Sequence, residues 1–198
     1  MQKTALTKEQ SDALGEISNI CMGNAATTLS MIINHRVDIT APQVVMIDRS
    51  SALDDYHDIC TFVQINYIKG LTGSNVFVLK DEDVLVLTDL MMGGSGVNPA
   101  GPIHEMHMSA ASEAMNQMMG TNATSMASML NTPVDISAPE VSRIDVEGVK
   151  KFEKMFASYH EKFVRIRFQM DVEHLLHSNM VQLFPTQFAI DLYRRFTR

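Results

Sequence analysis

Residues Val37 to Val44 read VDITAPQV, and residues Val134 to Val141 read VDISAPEV. The two stretches lie 134 minus 37, or 97, positions apart, and that spacing is the mark of an internal repeat. The same offset carries Asp12 to Ser109, Glu16 to Glu113, Asn19 to Asn116, Gly23 to Gly120, Ala26 to Ala123, Thr27 to Thr124 and Asn34 to Asn131. Chance does not hold a register that long. The chain therefore reads as one unit written twice, over about residues 8–92 and 104–197, within a single domain spanning 1–198.

Working outward from the proline stretch, each half reads as a long helix, a turn into an extended segment at the proline, two more strands and a closing helix. In the first half the helix is expected over Lys8 to Asn34, strands near Gln43 to Ile47, Thr61 to Ile68 and Ser74 to Leu79, and the closing helix over Asp81 to Met92. The second half repeats this with helix His104 to Asn131, strands near Glu140 to Val146, Lys162 to Asp171 and Met180 to Phe184, and helix Gln187 to Thr197. A short extra helix is expected over Val146 to Phe156. TFVQINYIKG from Thr61 and KFVRIRFQMD from Lys162 alternate as strands do. Gly93, Gly94, Gly96, Asn98, Pro99, Gly101 and Pro102 make the linker. Strands joined by short turns pair antiparallel. The fold class expected is α/β in the α+β sense: a pseudo-twofold repeat with one continuous, largely antiparallel six-stranded sheet and two long helices on one face.

Composition narrows the function. The chain has 198 residues and a formal net charge of -7, which argues against a general nucleic-acid binder, since phosphate backbones call for clustered Lys and Arg. The basic groups Lys150/Lys151/Lys154 and Arg194/Arg195/Arg198 read most simply as solvated faces. No stretch approaches the roughly 20 apolar residues of a membrane span, and the first thirty residues hold no apolar signal core. A cytoplasmic protein is expected. Cys21 and Cys60 are too far apart in sequence for a metal knuckle or redox pair, so both read as buried free thiols. Sixteen methionines and no tryptophan suggest an adaptable core.

On a helix, positions i, i+4, i+7 and i+11 fall at about 0°, 40°, -20° and 20°. Asp12, Glu16, Asn19 and Gly23 therefore share one face, with Leu14, Ile17, Cys21, Ala25 and Thr28 opposite, toward the sheet. Ser109, Glu113, Asn116 and Gly120 repeat the outer face, with Ala111, Ala114 and Met118 inward. On one helix alone, Glu and Asn would read as ordinary solvated residues. The repetition changes that. Asn is a mediocre helix former and an interior Gly costs about 1 kcal/mol, yet both recur at one place on both helices. An exposed glycine removes bulk, so a partner's backbone could approach there; helix packing is the competing explanation.

Asp12, Glu16, Asn19 and Pro42, then Ser109, Glu113, Asn116 and Pro139, fit a doubled pattern of Asp/Ser, three residues, Glu, two residues, Asn, twenty-two residues, Pro. In this the chain resembles the CheC/CheX/FliY phosphatase family over nearly its whole length. DALGEISNICMGNAATTLS, KGLTGSNVFVLKDEDVLVLTDLMMGG and SEAMNQMMGTNATSMASMLN place the resemblance nearest the flagellar-switch branch. A complete member of that branch continues into a domain resembling FliN, and some members carry an N-terminal regulator-binding extension. The chain stops at Arg198, so a cut-down member of the branch is favoured over a free-standing CheC.

The resemblance implies an activity and its residues. The substrate would be the aspartyl phosphate of the chemotaxis regulator CheY, which carries its own Mg2+ and lysine, so the chain needs no cofactor. Asn19 and Asn116 would orient the attacking water, and Glu16 and Glu113 would pair with the regulator's lysine. Asp12 and Ser109 would support or dock, and Pro42 and Pro139 would fix the exit from each helix. The partners implied are phosphorylated CheY and the flagellar switch proteins, at the cytoplasmic face of the basal body. No nucleic acid is implied, nor an integral membrane location.

Rival chemistries are weak. His104 with His107, and His174 with His177, have the spacing of paired ligands on a helix, but no third ligand accompanies them, so no metal site is expected. MMGGSG from Met91 lacks the Lys-Ser/Thr of a phosphate-binding loop and reads as a hinge between the repeats. No Ser/His/Asp or Cys/His set has a defensible spacing. The rival class is a non-catalytic module that binds a switch or chemotaxis partner through the same faces.

Overall fold

A computed structural model describes residues 5–48, 60–99, 101–143 and 162–198. Helix α1 (Lys8–Ile33) starts at a capping box in which the Thr7 hydroxyl accepts the Gln10 N–H at 3.1 Å and the Gln10 side chain accepts the Thr7 N–H at 2.9 Å. Its repeat-mate α3 (Glu105–Leu130) starts at His104, whose N–H donates to His107 Nδ1 at 3.2 Å. Both helices stop at an asparagine in the left-handed region, Asn34 at φ 55° and Asn131 at φ 50°. Asparagine tolerates that conformation better than most side chains. The repeated Asn pair is thus the helix stop, and the chain has already entered strand β1 (Val37–Asp48) before it meets Pro42.

That corrects the expected role of the prolines. Pro42 and Pro139 do not make the helix exits. Each lies where its strand carries one extra residue. β1 pairs antiparallel with β6 (Lys162–Val172), and from Thr40 to Gln43 it advances three residues while β6 moves two, from Gln169 to Arg167. In the second half the interruption is complete and leaves two short strands, β4 (Asp135–Ile136) and β5 (Glu140–Arg143). Both pair with β2 (Cys60–Lys69), and from Ile136 to Glu140 the chain advances four residues while β2 moves three, from Tyr67 to Gln64. A proline has no N–H to give the ladder, so it settles at such bulges and at sheet edges.

Among the described residues the six expected strands are therefore present as seven, one of them broken. With β3 (Gly73–Lys80) and β7 (Leu176–Pro185) the order is β1-β6-β7-β3-β2-β4, with β5 also on β2, and every pairing is antiparallel. The halves are interlocked. The first strand of each half is paired not with its own half but with the middle strand of the other. The helix expected over Val146 to Phe156 lies outside the described residues.

The long helices run antiparallel over one face of the sheet and meet at a polar seam. Asn24 donates to Ser125 Oγ at 2.8 Å, and Thr28 and Thr121 share a hydrogen bond of 2.6 Å. The two bonds are images of each other, since 24 plus 97 is 121 and 28 plus 97 is 125. A pseudo-twofold axis thus passes between the helices. Leu14, Ile17, Cys21 and Ala25 are buried as expected, whereas Thr28 is half-buried at this seam rather than against the sheet. Helices α2 (Asp81–Met91) and α4 (Thr186–Phe196) add Val84, Leu90, Phe188 and Leu192 to the same core. Asp89 ties down the linker, its carboxylate accepting the Gly96 N–H at 2.7 Å.

Candidate functional site

The sheet holds the inner faces of α1 and α3, so the residues turned away from it are fixed in direction but free of packing. Asp12, Glu16 and Asn19 are exposed on α1, and Ser109, Glu113 and Asn116 are exposed on α3. Gly23 and Gly120 are half-buried, and a Cβ added to either meets nothing within 4 Å. Packing glycines look different here: a Cβ at Gly70 would lie 2.2 Å from the Pro133 carbonyl oxygen. The bare stretches beside each Glu/Asn pair are therefore open to solvent, and helix packing does not account for them. Thr27 and Thr124 bond back to the carbonyls of Gly23 and Gly120 at 3.4 and 3.0 Å.

The axis passes near Ala26 and Ala123, so each asparagine stands seven residues from it, on opposite arms of the antiparallel pair. At 1.5 Å per residue the two asparagines are about 20 Å apart along the helices. The structure thus brings Asp12, Glu16, Asn19 and Gly23 together as one group and Ser109, Glu113, Asn116 and Gly120 as another, and it does not merge them. Pro42 and Pro139 stand apart from both groups, Pro42 in β1 and Pro139 in the break between β4 and β5. The sequence reading missed one contact: Gln117 Nε2 donates to Glu113 Oε1 at 2.8 Å. The i, i+4 spacing of a Gln and a Glu was the available signal.

Each group can offer a carboxylate and a carboxamide, fixed one turn apart, to a molecule that arrives from outside. The cleft lined by Leu71, Thr72, Asp191, Arg194, Arg195 and Arg198 contains none of these residues. A thiol nucleophile finds no support, because burial pushes Cys21 up to about 12 and Cys60 up to about 11. No cluster of three metal-ligand side chains occurs among the described residues. The premise of a helical His174/His177 pair is wrong: His174 lies in the turn between β6 and β7, and His177 is on β7, paired with Asp171. His104 and His107 do sit at a helix start, where their rings meet at a tilt of 56° with centroids 4.1 Å apart. No helix among the described residues is long and apolar enough to cross a membrane.

Comparison with known proteins follows the same geometry. The model of the CheC-like family matches residues 9–46 and 106–143, and 106 minus 9 is again 97. Over 187 residues the chain is 40% identical to the flagellar motor switch phosphatase FliY of Bacillus subtilis (strain 168), covering 94% of this chain and 49% of that protein. It thus spans about half the length of that relative. The CheY-P phosphatase CheC of the same organism is 25% identical over 151 residues, 72% of this chain and 70% of that one. The X-ray crystal structure of Thermotoga maritima FliY superposes with a TM-score of 0.91 at 37% identity, covering 98% of each chain. The doubled motif, the two matched spans and the shared fold place the chain in the CheC-like family, of which FliY and CheC are members.

Proposed function

We propose that this chain is a phosphatase that hydrolyses the aspartyl phosphate of the chemotaxis regulator CheY, working within the flagellar motor switch at the cytoplasmic face of the basal body. The observation that carries the reading is the recurrence of one exposed Glu/Asn pair on two helices, each beside a glycine that leaves open space for a partner. Relatives named as a switch phosphatase and a CheY-P phosphatase support it.

An acyl phosphate is already activated, and the regulator supplies Mg2+ and a lysine. What remains is to place a water in line with the phosphorus, which is a matter of positioning more than of covalent chemistry. A neutral carboxamide suits the task. Asn19 or Asn116 accepts a hydrogen bond from the water through its carbonyl oxygen and stays uncharged, and the water's proton leaves with the released phosphate. Glu16 or Glu113, one turn earlier on the same face, pairs with the regulator's lysine and fixes the docking. The open surface at Gly23 or Gly120 lets the regulator's loops approach the helix. Asp12 and Ser109 extend each contact by one further turn.

The test is direct. Mixed with phosphorylated CheY and Mg2+, the chain should release phosphate faster than CheY alone. Binding with no gain in hydrolysis would make it a partner-binding module of the switch instead.

A further inference from the structure

The two sites match in Glu, Asn and Gly but not at the residue immediately after the asparagine. That position is Ile20 on α1 and Gln117 on α3. Ile20 is 44% exposed, a large apolar side chain facing water one turn beyond Glu16 and beside Asn19. At the equivalent point on α3, the Gln117 amide holds the Glu113 carboxylate at 2.8 Å. Glu16 has no such hydrogen bond among the described residues. The charge differs too: Asp12 gives the α1 site a second carboxylate, where the α3 site has Ser109.

We infer that this position makes the two sites unequal: Ile20 is an apolar docking residue for the phosphorylated regulator, and Gln117 is a positioning residue that holds Glu113. The inference rests on the phosphatase reading above. The occupant is the same receiver domain, because Ile20 adjoins the Glu/Asn pair that reaches its lysine and phosphate, and any partner seated there covers it. Covering an exposed isoleucine strengthens binding before the chemistry and in the transition state alike. It therefore lowers KM without raising kcat. Gln117 has the opposite character. Its amide keeps the carboxylate in one rotamer, but the regulator's lysine must share or displace that hydrogen bond. The α1 site should accordingly have the lower KM and the steeper salt dependence, with two carboxylates against one.

The experiment isolates each site in the full chain: Asn116→Ala leaves the α1 site working, and Asn19→Ala leaves the α3 site. In the first background Ile20→Gln should raise KM for phosphorylated regulator about tenfold with kcat unchanged, and Ile20→Leu should restore it. In the second, Gln117→Ala should change the salt dependence of KM, because it frees Glu113. Equal KM values for the two single-site proteins, or an Ile20→Gln protein with unchanged KM, would overturn the inference while leaving the phosphatase reading intact. Absence of phosphate release by the parent chain would instead remove that reading itself. Circular dichroism of each variant excludes unfolding as the cause of any loss.

Discussion

The two long helices resemble each other on the wrong side for a purely structural repeat. Outward, Glu16, Asn19, Gly23 and Thr27 recur identically as Glu113, Asn116, Gly120 and Thr124. Inward the match is partial: Met22 and Ala26 recur as Met119 and Ala123, but Leu14, Ile17, Cys21 and Ala25 give way to Ala111, Ala114, Met118 and Asn122 in the equivalent positions, all of them buried. A core tolerates such exchanges when total volume is kept, because it needs fit more than identity. Here small Ala on one helix is offset by large aliphatics on the other, and flexible Met fills what is left. A solvated face carries no packing demand at all, so nothing in the fold requires its Glu, Asn and Gly to repeat. The difference between the faces teaches that the outer one answers to something outside the molecule.

The largest effect should come from breaking the comparison by cutting the chain in two. Residues 1–102 alone would leave β1 without β6 and α1 without α3 across the seam. That fragment should show no cooperative unfolding transition as a monomer when its circular dichroism is followed in urea. A cooperatively folded monomer would mean that the crossed strand pairing is dispensable.

Next come the asparagines. Asn19→Ala and Asn116→Ala should each remove part of the phosphate release from phosphorylated CheY, and the double variant nearly all of it. Losing a group that acts in the transition state typically costs about 10²- to 10³-fold, so the double variant should approach the regulator's own decay rate. Its binding to the regulator, measured by calorimetry, should survive through Glu16 and Glu113. Release at the parental rate would end the water-orienting role.

A smaller and two-sided effect is expected at Gly23→Leu and Gly120→Leu. Both positions are helical and open, so stability in urea should hold or rise by up to about 1 kcal/mol. The added bulk should nonetheless weaken docking of the regulator. Unfolding of either variant would turn these residues back into packing glycines.

The smallest effect contrasts the closing helices. The third residue of α2 is Asp83 and that of α4 is Phe188, and both are buried. Burial raises the Asp83 carboxyl above its ordinary range, against a smaller lowering by the Ser178 hydroxyl, which donates to it at 2.6 Å. A raised folded pKa favours the protonated form. Its contribution is fully present below the unfolded carboxylate pKa and is lost as pH rises through the folded value. Asp83→Asn should flatten that part of the pH profile and be relatively more stable at neutral than at acid pH, read from urea midpoints. An unchanged profile would show that Asp83 is not charged at a cost.

The sequence by itself determined the duplication, the two outer-face groups and the helix limits, because each is local: an offset of 97, a 3.6-residue period and an Asn at each helix end. It also determined that the sheet is antiparallel, through strands too closely spaced for helical crossovers. Tertiary structure alone decided the rest. The crossed pairing of β1 with β6 and of β4 and β5 with β2 could not be read, since either half's edge offers the same alternating pattern to an incoming strand. The prolines were misplaced at the helix exits because a missing N–H signals a break without saying which ladder it breaks. The separation of the two Glu/Asn groups, and the seam of Asn24, Thr28, Thr121 and Ser125 between them, exist only once the helices lie antiparallel about an axis. A repeat fixes what each half presents, but the distance between the copies is set by how the two halves bury their inner faces together.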